Sequence, residues 1–82
     1  MNTNFELGTA YMEMGLLEEA FDEFKQASED PDITDNALYS MALCESKLGR
    51  NEAAKNRLKY LLSKPRLNSK IQRASQSLLV KL

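Results

Sequence analysis

This sequence of 82 residues predicts an all-α protein of five helices, arranged as antiparallel helix-turn-helix units. Three observations carry that prediction. Apolar residues recur at the three-and-four spacing of amphipathic helices, and no stretch alternates with period two. Gly15, Pro31, Gly49 and Pro65 fall between the apolar stretches, where helices end. The interval from Gly15 to Gly49 is the same as that from Pro31 to Pro65.

Each element has its own signal. The first helix, near 3–14, carries Leu7, Ala10, Tyr11 and Met14 on its apolar face, and Thr3 with Glu6 fits a capping box at its start. Gly15 can take the left-handed conformation that stops it. The second, near 17–29, repeats the pattern with Leu17, Ala20, Phe21, Phe24 and Ala27, and Pro31 follows. The third and fourth, near 34–47 and 51–63, restate the first two: Phe5 aligns with Tyr39, Leu7 with Met41, Gly8 with Ala42, Ala10 with Cys44, Ala20 with Ala54 and Phe24 with Leu58, all at the glycine interval and without a gap. The fifth, near 69–81, opens on Ser69 with Gln72 as a second capping box and gathers Ile71, Ala74, Leu78, Leu79 and Leu82 on one face.

A helix-turn-helix period of this length, about 34 residues, is a repeat signature. With Leu7, Gly8, Tyr11, Gly15, Ala20, Phe24, Ala27 and Pro31 in the first unit, the sequence resembles the tetratricopeptide repeat family. The resemblance spans one domain, with repeats at 1–34 and 35–68 and a capping helix at 69–82. It departs from the family pattern at Asn4, where a large aromatic is usual, and in the second unit at Leu38, Met41, Ala42, Glu45 and Leu58. Gly8, Ala20 and Ala54 sit where helix backbones approach closely, with Tyr11 and Phe24 filling the wider gaps beside them.

Charge is close to balanced in total and strongly divided along the chain. Residues 1–34 hold nine acids against one base, Lys25; residues 35–82 hold three acids against ten bases. Such a dipole speaks to association rather than to fold. No apolar run suits a transmembrane helix and the N-terminus lacks a signal-peptide pattern, so the expected location is cytoplasmic, without membrane association. Cys44 is the only cysteine and histidine is absent, which excludes an internal disulfide, a Cys/His metal site and a histidine base. The glycines are isolated, so no phosphate-cradling loop occurs. Glu18, Glu19, Asp22 and Glu23 read as a solvated helix face, and Cys44 as a small structural thiol. The expectation is a chain that is not an enzyme and carries no cofactor or metal.

What remains is recognition. In the family the first helix of each unit lines a concave groove that holds a peptide or helix of a partner. Carried over by position, the groove-facing residues are Asn2, Phe5, Thr9, Met12 and Glu13 from the first unit, Asn36, Tyr39, Leu43, Ser46 and Lys47 from the second, and Lys70, Arg73, Ser77, Val80 and Lys81 from the cap. Phe5, Thr9, Met12, Tyr39, Leu43, Lys47, Lys70 and Arg73 are the chief binding candidates. Phe5, Met12, Tyr39 and Leu43 are then expected as an exposed apolar strip, which usually marks a binding surface. The family's clamp for chaperone C-terminal carboxylates is not repeated here: Phe5, Thr9 and Ser40 replace three of its residues, and only Lys70 of its basic pair survives. The expected function is a non-enzymatic protein-interaction module. The alternative is nucleic-acid association through the basic second half, with Tyr60 as a stacking residue. The dipole further predicts either a monomer or weak, salt-dependent head-to-tail self-association.

Overall fold

The computed structural model describes residues 2–82. Among them are five α-helices and no strands: α1 (Thr3–Glu13), α2 (Leu17–Ala27), α3 (Thr34–Lys47), α4 (Asn51–Leu62) and α5 (Ser69–Val80). Each helix packs against the next in the chain, and α5 also reaches back to α3. Only three residues separate α1 from α2, and α3 from α4, so each packed pair is a hairpin.

The two hairpin turns are built alike. In the first, the Gly15 amide donates to the Met12 carbonyl at 3.0 Å and the Leu16 amide to the Tyr11 carbonyl at 2.9 Å. In the second, Gly49 donates to Ser46 at 3.2 Å and Arg50 to Glu45 at 2.8 Å. This paired bonding closes a helix only when the residue after the cap is left-handed, and Gly15 and Gly49 both have φ of 79°. The loop after α2 is held by polar contacts instead. The Thr34 hydroxyl donates to the Ser28 and Asp30 carbonyls, both at 2.9 Å, and Asp30 accepts from the Asp32 amide at 3.0 Å and from the Asn2 side chain at 3.2 Å.

The helix starts correct the sequence reading by one residue. Asn2, not Thr3, caps α1, its side chain accepting from the Phe5 amide at 3.0 Å. Asn68, not Ser69, caps α5, accepting from Lys70 at 2.8 Å and Ile71 at 3.3 Å. Asparagine caps as well as serine or threonine, so the residue preceding each expected capping box takes the role.

The core runs through the hairpins along the expected small and large positions. Ala20, Phe24, Ala27, Ala37, Met41, Ala42, Cys44, Ala54, Leu58 and Leu61 are buried. Gly8 lies so close to the Phe24 ring that a Cβ on it would fall 2.7 Å from Cε1, which is the close approach its position predicts. The face assigned to α1 needs correction. Leu7, Ala10 and Met14 are exposed, whereas Met41 and Cys44, at the equivalent places on α3, are buried. The reason is order in the stack: α3 has α2 on one side and α4 on the other, while α1 packs only against α2 to any extent.

One core feature is absent from the sequence reading. Glu45 is only 4% exposed, and Arg57 on α4 holds it through two hydrogen bonds, Nε to Oε1 at 2.8 Å and Nη2 to Oε2 at 3.3 Å. The Arg57 guanidinium also lies over the Phe21 ring, 5.6 Å from its centroid, so one side chain links α2, α3 and α4.

Candidate binding cleft between α3 and α5

The turn of chain after α4 swings α5 alongside α3 and leaves a cleft of about 400 Å³ lined by Asn36, Tyr39, Asn68, Lys70, Ile71 and Ala74. Tyr39 and Ile71 are half-buried and form its apolar wall. The polar groups gather toward the start of α5, where Lys70 stands in the first turn and Asn68 has already engaged the first free amides. A helix start carries partial positive charge, and α5 contributes no acid to offset Lys70. The nearest acid on α3, Asp35, accepts a hydrogen bond from the Lys64 ammonium at 2.6 Å, and that bond holds the Lys64 pKa above the usual lysine value. The cleft therefore presents an apolar floor under an uncompensated positive rim, an arrangement suited to an apolar side chain next to a carboxylate.

The eight residues expected to share one groove divide. Tyr39 and Lys70 meet in the cleft. Phe5 and Met12 are not an exposed strip: both pack on the cluster of Ala20, Phe24, Met41 and Cys44, with the Phe5 ring edge-on to Phe24 at a centroid distance of 5.3 Å. Thr9 is exposed and its hydroxyl donates to the Phe5 carbonyl at 3.0 Å. Leu43 is half-buried, and Lys47 and Arg73 are exposed; none of the three lines the cleft. Phe5 is drawn inward because Gly8, one turn on, lets α1 lie close against Phe24.

Three cleft residues lie outside the groove assignment. Asn68 is in the turn before α5, and its signal is the asparagine immediately ahead of Ser69. Ile71 and Ala74 belong to the apolar face that the sequence predicts for α5, and in the structure both are half-buried and line the cleft.

Cys44 offers no reactive thiol. It is fully buried, and burial together with the neighbouring Glu45 charge pushes its pKa from 9.0 up to about 11. Among the described residues no group of three or more His, Cys, Asp or Glu side chains could hold a metal ion, and no helix is long and apolar enough to cross a membrane. No protein-family model, curated protein or solved structure matches this chain.

Proposed function

We propose that this chain is a tetratricopeptide-like, non-enzymatic interaction module that holds a segment of a partner protein in the cleft between α3 and α5. The observation that carries the reading is the cleft itself: Tyr39 and Ile71 beside Lys70, with Asn36 and Asn68 supplying hydrogen-bonding amides. The gap-free repeat period and the matched glycine turns support the family likeness. The partner segment places an apolar anchor against Tyr39 and an acidic residue toward Lys70. Selection from a displayed random-peptide library tests this. Enriched peptides combine the two features, and Tyr39→Ala weakens them by on the order of 2 kcal/mol, as aromatic anchors do, with Lys70→Glu also weakening them while helicity is unchanged. Binding indifferent to both substitutions refutes the reading.

The nucleic-acid alternative is less well supported by the disposition of the bases. Arg50, Lys55, Arg57 and Lys64 are engaged by Glu18, Glu52, Glu45 and Asp35. The Lys64 ammonium lies 5.5 Å from the centroid of the Tyr60 ring, on the face a base would use. A gel shift that weakens steeply with salt would reinstate it.

A further inference from the structure

The two hairpins differ on the surface away from the α3/α5 cleft. On the first, Asn4 donates to Glu23 at 2.9 Å and to Gln26 at 3.2 Å, closing the gap between α1 and α2 with polar groups. The residues one repeat on from Asn4, Glu23 and Gln26 are Leu38, Arg57 and Tyr60. Here no such bridge forms, and an outer cleft of about 410 Å³ opens, lined by Leu38, Ala53, Asn56, Arg57 and Tyr60. Its walls are mostly apolar, and Tyr60 is 57% exposed. Arg57 cannot swing into it without releasing Glu45, so the cleft is held open.

The same chain carries a shape and charge that suit this cleft. The turn between α1 and α2 projects Met14, 62% exposed, and Leu16, 42% exposed. Glu13, Glu18 and Glu19 bracket them, and no base precedes Lys25. The cleft lies on α4, where Lys55 and Arg57 are paired with Glu52 and Glu45 and Lys59 adds a base beyond those pairs, within a half of the chain, residues 35–82, that holds ten bases against three acids. The turn cannot fold back into its own cleft, because its glycine cap fixes it and Glu18 is tied to Arg50 at the second turn. We propose that the outer cleft receives the Met14–Leu16 turn of a second copy, a head-to-tail contact between an acidic apolar tip and an apolar cleft on the basic half of the chain. Tip and cleft are different surfaces, so each copy offers one of each and the contact propagates, as open chains unless its rotation closes a ring. The proposal does not depend on what occupies the α3/α5 cleft.

Sedimentation velocity from micromolar to millimolar protein tests it, at about 0.1 M salt, where charges act over roughly 10 Å, and at about 1 M, where they act over roughly 3 Å. The average mass of the wild type should rise with concentration at low salt and return to that of the monomer at high salt. Met14→Glu spoils the tip and Tyr60→Ala the cleft; both positions are exposed, and each variant alone should stay monomeric. Mixing the two variants should restore a species of two chains and no larger, because one keeps the cleft and the other the tip. A wild type that is monomeric throughout, association that survives both substitutions, or a mixture that stays monomeric overturns the proposal; the first outcome leaves the cleft to a different acidic protein.

Discussion

The two hairpins share one backbone plan and fill it with different chemistry. Where the first sets Gly8 against Phe24, the second has Ala42 and Leu58, and all four are buried. Where the first has Tyr11 and Glu23, the second has Glu45 and Arg57 as a buried, two-pronged ion pair. The lesson is that a helix-hairpin frame specifies turn positions and the summed volume between helices, and leaves open whether an apolar ring or a satisfied pair of charges occupies a given place. That freedom has a condition: paired positions must change together.

The largest expected effect follows from breaking one such pair. Arg57→Ala leaves the Glu45 carboxylate buried without either hydrogen bond and removes the contact with Phe21. Stripping one partner from a buried pair costs about 3–5 kcal/mol. Arg57 keeps about a quarter of its side chain in water, so a loss near the lower end, about 3 kcal/mol, is expected in urea unfolding. Introducing the first hairpin's aromatic as Glu45→Tyr on top of Arg57→Ala should recover part of that loss by removing the stranded charge. A double variant weaker than Arg57→Ala alone would mean that the two hairpins do not share a frame at this position.

The next effect is smaller and tests the volume rule. Gly8→Ala places a methyl group 2.7 Å from the Phe24 ring, closer than atoms can sit, and overpacking of this kind costs about 1–3 kcal/mol. Adding Phe24→Leu turns the pair into the second hairpin's Ala42 and Leu58. The two substitutions should therefore couple favourably by at least about 0.5 kcal/mol in a double-mutant cycle. Strict additivity of the urea midpoints would sever the link between the two hairpins.

How much of this was legible beforehand depends on whether the determinant is local. Gly15 and Gly49 announced both turns because a left-handed residue must follow the last cap, and the helix limits came out within two residues. Gly8 and Phe24 were legible as a small-large pair because their spacing recurs in the second unit at Ala42 and Leu58. The caps slipped by one residue because Asn2 and Asn68 compete with the hydroxyls beside them for the same amides. Burial on α1 was illegible, since Leu7 and Met41 share a register and only a neighbour in the stack separates exposed from buried. The Glu45–Arg57 pair joins two helices across a turn, and a glutamate at a core register was its only signal. Of the expected groove, Tyr39 and Lys70 stay together while Phe5 and Met12 turn inward.

Comparison of α5 with α3 yields a third prediction. Ser75 stands one repeat after Met41 and is fully buried, yet its hydroxyl has no hydrogen-bonding partner among the described residues. A buried polar group left unsatisfied costs about 1–3 kcal/mol. Ser75→Ala removes the hydroxyl with little change of volume and should raise the urea midpoint, by about 1 kcal/mol of stability. A lowered midpoint would show that the hydroxyl is bonded in solution and that α5 seats differently on α4.

The smallest effect on stability gives the cleanest reading of stack position, because Ala10 and Cys44 occupy one register on α1 and α3 with opposite exposure. Moving the thiol outward, as Ala10→Cys in a Cys44→Ala background, should leave a folded protein whose single cysteine reacts promptly with an aromatic disulfide reagent at mild alkaline pH. The wild-type thiol should react only when α3 opens, and in urea the two should react alike. The pH dependence follows from the direction of the shift. Cys44 binds its proton more tightly in the fold, at about 11, than at its ordinary 9.0, so the stability it contributes is fully present below 9 and is lost as pH climbs from there toward 11. The exposed thiol of Ala10→Cys has no such burden and should ionise near the ordinary thiol value, its reaction rate rising through that range while unfolding stability stays flat. Equal native-state rates for the two cysteines would erase the distinction between an end helix and a central one, and with it the explanation offered for the exposure of Leu7 and Met14.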